Sequence, residues 1–159
     1  MSAEDATDSA DLTAVGDQLR ALVDQALPRL EQMDADRVAR PLGEGGWSAQ
    51  QVLGHMIDSA VVNQQRRVRA RLEDGPLFTD YDQNGWVAVQ RIDQRPWRDV
   101  VELWAALNRH FAHLVASTPP GDADRRCRIE GGDAVSLGYL ARDYVAHQRH
   151  HLASILGAP

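Results

Sequence analysis

Four stretches of this 159-residue chain repeat their apolar residues every three to four positions, a spacing that a helix turns into one buried face. The first stretch carries Leu12, Val15, Leu19, Leu22, Val23, Ala26, Leu30 and Met33. The second carries Val52, Leu53, Met56, Ile57 and Ala60, and the third Val100, Leu103, Trp104, Leu107, Phe111, Leu114 and Val115. The fourth carries Leu137, Leu140, Tyr144, His147, His151 and Ile155. Helices with one apolar stripe bury it against each other, so the predicted fold is all-α, a four-helix bundle. With 43% hydrophobic residues the chain can fill one core and reads as a single domain over 11–159. Residues 1–10, rich in Ala, Asp, Glu and Ser, are expected to form a flexible tail.

Helix boundaries follow from local chemistry. Pro28 removes a backbone donor and predicts a kink or a division in the first helix. Arg40 to Gly46 holds too many breakers to be helical and serves as a connection. Ser48-Ala49-Gln50-Gln51 has the form of a capping box and starts the second helix, which should run to about Leu72, where Glu73-Asp74-Gly75-Pro76 stops it. The third helix is expected from Trp97 to Ser117. Residues 73 to 96 lie between these two helices, with room for a short helix near Asn84 to Gln90. Neighbouring bundle helices usually need only about 2 to 8 linking residues, so this segment is expected to cross the bundle rather than make a hairpin. Cys127 to Val135 reads as a small β-hairpin turned by Gly131-Gly132, after which Ser136 caps the fourth helix and Gly157 ends it.

Charge and composition narrow the function classes. A net charge of −6 argues against general nucleic-acid binding, which needs cationic surface. No apolar run approaches the roughly 18 residues of a membrane span, and the N-terminus lacks a basic start followed by an apolar stretch. A cytoplasmic location without membrane contact is therefore expected. The single Cys127 cannot form an internal disulfide, and with no activating partner it is a poor candidate nucleophile.

His147 and His151 would lie one helical turn apart on the inward face, about 6 Å along the axis, where two imidazoles can grip one ion. The pair alone is equally compatible with two core histidines. His55, facing inward from the well-capped second helix, tips the balance towards metal binding. Three neutral imidazoles leave coordination positions open, as catalytic sites do. Ser59, Asn63 and Arg66 continue the His55 row along the same helix. Arg66, Arg67, Arg69 and Arg71 read for the most part as a solvated basic face, with Arg66 set apart because it shares the His55 face. His110, His113 and His150 fall outside the apolar stripes. The sequence around His147 lacks the glutamate of the H-E-x-x-H motif, which excludes that type of peptidase.

Several separated motifs then occur in one order: Gly46-Trp47-Ser48; Val52-Leu53-Gly54-His55-Met56-Ile57-Asp58-Ser59; Asn63 and Arg67; Tyr81-Asp82-Gln83-Asn84-Gly85-Trp86; and His147 with His150-His151-Leu152. Together, over about residues 12 to 157, they resemble the DinB-like superfamily, in its YfiT and bacillithiol-transferase branch. The resemblance implies up-down-down-up topology and one divalent metal ion per chain, held by His55, His147 and His151. Zinc or nickel is the foremost occupant, with iron and manganese also compatible. It also implies a homodimer and an activity that is either metal-dependent hydrolysis or transfer of a low-molecular-weight thiol, of the bacillithiol or mycothiol type, to an electrophile. The region from Gly121 to Ser136 departs from the family pattern.

Thiol transfer is the leading expectation, because a coordinated thiol is deprotonated by the metal and needs no protein base. Asn63, Arg66, Arg67, Tyr81, Asp82 and Trp86 are the expected substrate-binding residues. The alternative is hydrolysis of small amides or esters by a metal-bound water, with Asp58, Asp82 or Asp143 as proton acceptor. A third reading, from another class, is a non-catalytic, stress-associated metal-binding module.

Overall fold

A computed structural model describes residues 12–43 and 46–157; the expected tail over 1–10 lies outside the described residues. Helix α1 (Leu12–Glu31) buries Leu12, Val15, Leu19, Val23 and Leu30 on one stripe. It is not divided at Pro28. The proline falls in the last turn, where few intrahelical bonds remain to be lost, and Gln32 N still closes on Pro28 O at 3.3 Å. A five-residue helix that the periodicity did not announce, α2 (Ala35–Ala39), follows once Asp34 accepts from Arg37 N at 2.8 Å.

Helix α3 (Ala49–Leu72) starts on the expected capping box. Gln51 N donates to Ser48 Oγ at 3.3 Å and Ser48 N donates to Gln51 Oε1 at 3.0 Å. The crossover after it carries the short helix α4 (Gln83–Gln90), capped by Asp82, and leads to α5 (Trp97–Ala116). Helix α6 (Leu137–Leu156) is capped by Ser136 and ends at Gly157, whose φ of 81° lies in the left-handed region open to glycine.

End-to-end hydrogen bonds set the directions. Gln50, at the start of α3, donates to Ile92 O and Arg95 O just before α5, and Arg67, near the end of α3, donates to Thr118 just after α5. Thus α3 and α5 run the same way, and the crossover must return along the length of the bundle. Arg67 also donates to Leu137 O at the start of α6, so α6 runs opposite to α3. Arg29, near the end of α1, donates to Leu156 O at the end of α6, so these two run together. The order is up, down, down, up.

A small sheet closes one end of the bundle. Strands β2 (Arg126–Ile129) and β3 (Ala134–Ser136) form the expected hairpin, with Gly131 at φ 79° in the turn. Strand β1 (Leu77–Phe78) pairs in parallel with β2, which the sequence did not signal because two residues carry no period.

The main core joins Val23 and Leu30 of α1, Leu53 and Met56 of α3, Val100 and Trp104 of α5, and Leu152 and Ile155 of α6. At Gly16 a Cβ would stand 2.5 Å from Ala112 O, so only glycine permits the close approach of α1 to α5 there. The arginine run of α3 is not one solvated face. Arg69 pairs with Glu73 at 2.7 Å and Arg71 with Asp122 at 2.8 Å, but Arg66 and Arg67 are 7% and 3% exposed. The reason is that α3 lies between α5 and α6, so consecutive positions near its end both face protein. No described helix is long and apolar enough to cross a membrane.

Candidate metal centre

His55 is placed by the capping box two turns before it, and His147 and His151 by the capped start of α6. Because α3 and α6 are antiparallel neighbours, the three side chains meet between them. His55 Nε2 lies 3.2 Å from His147 Nε2, which lies 3.0 Å from His151 Nε2. The three ligand atoms all fall within 4.8 Å of one another. The rings stand edge-on, with interplanar angles of 78°, 76° and 84°. Nitrogens that share one tetrahedral ion at about 2.05 Å would be about 3.3 Å apart, so this spacing fits a single small cation.

The chemistry of the donor set points the same way. At most one proton can occupy each N···N gap, so three converging imidazole lone pairs are poorly served by hydrogen bonding alone. His55 is buried, while His147 and His151 are half-buried, which leaves the trio open on one side. Trp47 covers His55, with ring centroids 5.3 Å apart. The Nδ1 atoms of His55 and His147 are buried without a hydrogen-bond partner among the described residues, so the carboxylate or carbonyl that often orients a ligand histidine is absent from both.

Burial pushes the His55 pKa down to about 4, with His147 adding to the effect. Burial likewise lowers His151 to about 4, helped by His147, His55 and His150, and lowers His147 despite the opposing pull of Asp143. All three rings are therefore neutral at pH 7, the state in which they donate to a metal. In metal-free protein the folded rings resist protons that the unfolded chain takes up below about pH 6.5. This contribution should be fully favourable above about pH 6.5, fall as pH drops through the window to about 4, and level off below it. Thermal unfolding of chelated protein between pH 7 and 4 checks this, and His151→Gln should flatten the fall.

The other expected residues are distributed around the trio. Asn63 donates to Ser59 O at 2.9 Å, on the row that leads from His55 to Arg66. Arg67 donates to Thr118 Oγ1 at 3.2 Å and Leu137 O at 3.1 Å, tying three helices together. Burial, with Arg71 nearby, lowers its pKa to about 10, so it stays charged at neutral pH. Tyr81 packs against Trp86 with centroids 4.9 Å apart and the rings tilted by 57°, and Asp82 caps α4 by accepting from Gly85 N at 3.0 Å. His110, His113 and His150 are exposed, as expected.

Two features escaped sequence reasoning. The first is the setting of Asp58, itself an expected proton-acceptor candidate: it is buried, its pKa is raised by that burial, and Gln90 Nε2 donates to it at 2.7 Å across 32 residues of chain, a pairing with no local signal. Asp58, Ile57, Trp86, Gln90 and Leu107 help to line a cavity of about 780 Å³ between α3, α4 and α5, whose wall includes none of the three histidines. The second feature is a buried network behind the trio. Tyr144 OH donates to Asn108 Oδ1 at 2.7 Å and Trp104 Nε1 to Gln148 Oε1 at 3.1 Å. Asn108 interrupting the apolar row of α5 is the signal that could have found it.

An up-down-down-up bundle that brings three neutral imidazoles from two antiparallel helices to one point belongs to the class of helical proteins built to hold a single metal ion. The chain is a member of the DinB superfamily, whose family profile matches residues 18–155. It is similar to a protein of Oceanobacillus iheyensis provisionally named a metal-dependent hydrolase, with 29% identity over 111 residues. That match covers 70% of this chain and 64% of the relative, just under two thirds of its length. A relative from Geobacillus thermodenitrificans with the same provisional name is 25% identical over 139 residues, 87% of this chain and 78% of its own length. Among solved structures, YfiT from Bacillus subtilis, described as a probable metal-dependent hydrolase with an unusual four-helix bundle topology, superposes with a TM-score of 0.79 at 22% identity, covering 98% of this chain and 86% of that one. The likeness shows that the two chains share this fold.

Proposed function

We propose that the protein is a divalent-metal-dependent enzyme in which His55, His147 and His151 hold the ion, and that it joins a low-molecular-weight thiol to a small electrophile. The observation that carries this reading is the convergence of three neutral Nε2 atoms on a side left partly open. A divalent ion with open coordination positions supplies a nucleophile at neutral pH by acidifying a thiol or a water. The cluster itself contains three histidines and no carboxylate among the described residues, which suits a nucleophile that needs no protein base.

The chain's own residues would do the rest. The half-buried faces of His147 and His151 leave an approach for the thiol, and the Tyr81–Trp86 pair and the cavity that adjoins Trp86 offer apolar surface to the electrophile. Hydrolysis is the second reading, favoured by the provisional names of the relatives and by Asp58, whose raised pKa suits proton transfer. Its Gln90 partner would hold the carboxyl in place.

The reaction is tested with metal-loaded protein, a reactive aryl halide, a panel of simple esters and amides, and bacillithiol, mycothiol and glutathione in turn. Chelator-sensitive consumption of one thiol is the expected result. Chelator-sensitive ester or amide cleavage without thiol would move the assignment to hydrolysis. Metal binding with neither activity would sink both and leave a metal-binding module.

A further inference from the structure

We infer that the guanidinium of Arg66 is the seat of a substrate carboxylate, at the far end of the row that begins at His55. Arg66 follows His55 by eleven residues on α3, which sets it about 20° off the same face and about 16 Å further along the axis. The residue is 7% exposed, yet its Nε and Nη2 atoms are buried with no hydrogen-bond partner among the described residues. These two N–H groups form one edge of the guanidinium, the pair that receives both oxygens of a carboxylate at once. Its neighbour Arg67, equally buried, has donors bonded to Thr118 and Leu137, whereas the Nε–Nη2 edge of Arg66 is enclosed and unmet.

Burying a charged donor edge without an acceptor is costly, and such groups call for a partner that arrives from outside. Asp80 stands 3.8 Å from Nη2, but its side chain is 64% exposed and the distance is too long for a hydrogen bond, so it offsets the charge without closing the edge. Asp80 already offsets the Arg66 charge, so a bound monoanion leaves the pair at −1 and a phosphate dianion at −2, which disfavours the dianion.

The row between the two ends is polar and walled. Asn63 donates to both the Ser59 carbonyl and hydroxyl oxygens, and Tyr81 of the crossover lies close to Ser59 and Asp58 of the same helix. The His55 ring leans towards the N-terminus as Arg66 does, so only the greater reach of the arginine shortens the axial offset, to roughly 13 Å. The ligand class is therefore a small molecule with a carboxylate roughly 13 Å from the group that reacts. Only that reacting end rests on the function proposed above; the carboxylate seat does not.

The test uses the full chain stripped of metal, titrated with hexanoate in a calorimeter, with circular dichroism and melting curves confirming the fold of each variant. Saturable binding is expected, weakened on the order of tenfold in Arg66→Gln, since a charge-assisted bidentate pair is lost. Arg66→Lys should fall between wild type and Arg66→Gln, because the charge stays and the fork goes. Asp80→Asn, on an exposed side chain, should tighten binding, and inorganic phosphate should bind more weakly than hexanoate. Absence of hexanoate binding to folded wild type, or binding that is unchanged in Arg66→Gln, overturns the assignment. No metal and no turnover enter the measurement, so its failure leaves the histidine centre untouched, and failure of the histidine centre leaves it standing.

Discussion

His147→Ala should purify with less than about a tenth of the metal of the wild-type protein and bind added zinc or nickel at least about 100-fold more weakly. His147 is the middle member of the trio, with its Nε2 3.2 Å from that of His55 and 3.0 Å from that of His151. Its removal separates the two imidazoles that remain and cuts the protein ligands from three to two. The fold should survive, because the side chain is only half-buried and its Nδ1 has no partner among the described residues. Relief of burial around His55 and His151 should also ease their protonation, since His147 helps to hold both down. Elemental analysis and competition with a chromophoric chelator measure the effect, and exposed His150→Ala serves as the control that should change neither. Equal metal in His147→Ala and wild type would mean that the ion sits elsewhere, and the enzyme proposal would lose its base.

Trp104→Ala should destabilise the protein by about 3 to 5 kcal/mol, the range for truncating a large core aromatic. Trp104 is 0% exposed, belongs to the main core, and donates through Nε1 to Gln148 Oε1 at 3.1 Å. Truncation would leave both a cavity and an orphaned acceptor, and Gln148 Nε2 already lacks a partner among the described residues. Gln148 lies on α6 between His147 and His151, so loosening it should also weaken metal binding, by about tenfold, without touching a ligand. Urea unfolding and the chelator competition read the two effects separately. Trp104→Phe, which keeps most of the volume, should cost about 1 to 2 kcal/mol and spare most of the metal affinity. A loss below about 1 kcal/mol in Trp104→Ala would contradict the packing described for this part of the core.

Individual elements differ in how far they could be read ahead. The start of α3 was legible because a capping box is a four-residue device: Ser48 and Gln51 satisfy each other's backbone without help from the rest of the chain. The crossover was legible from length alone, since 24 residues between neighbouring helices exceed any hairpin. Arg67 was misjudged for the opposite reason. Nothing local distinguishes an arginine that faces water from one that meets Thr118 and Leu137, 51 and 70 residues away. The bond between Asp58 and Gln90, which depends on where α4 comes to rest, belongs to the same kind.

The sequence by itself determined which residues would lie on one helix face, because a period of 3.6 residues per turn is a local property of the backbone. That sufficed to pair His147 with His151 and to place His55, Ser59, Asn63 and Arg66 in one row. Only the tertiary structure decided that the two rows meet, that His55 Nε2 comes within 3.2 Å of His147, and that Arg66 is closed in with its donor edge unmet. Those outcomes depend on the antiparallel packing of α3 and α6 and on the crossover that seats Tyr81 against α3. Helix–helix packing and burial are relations between segments distant in the chain, and no window of sequence contains them.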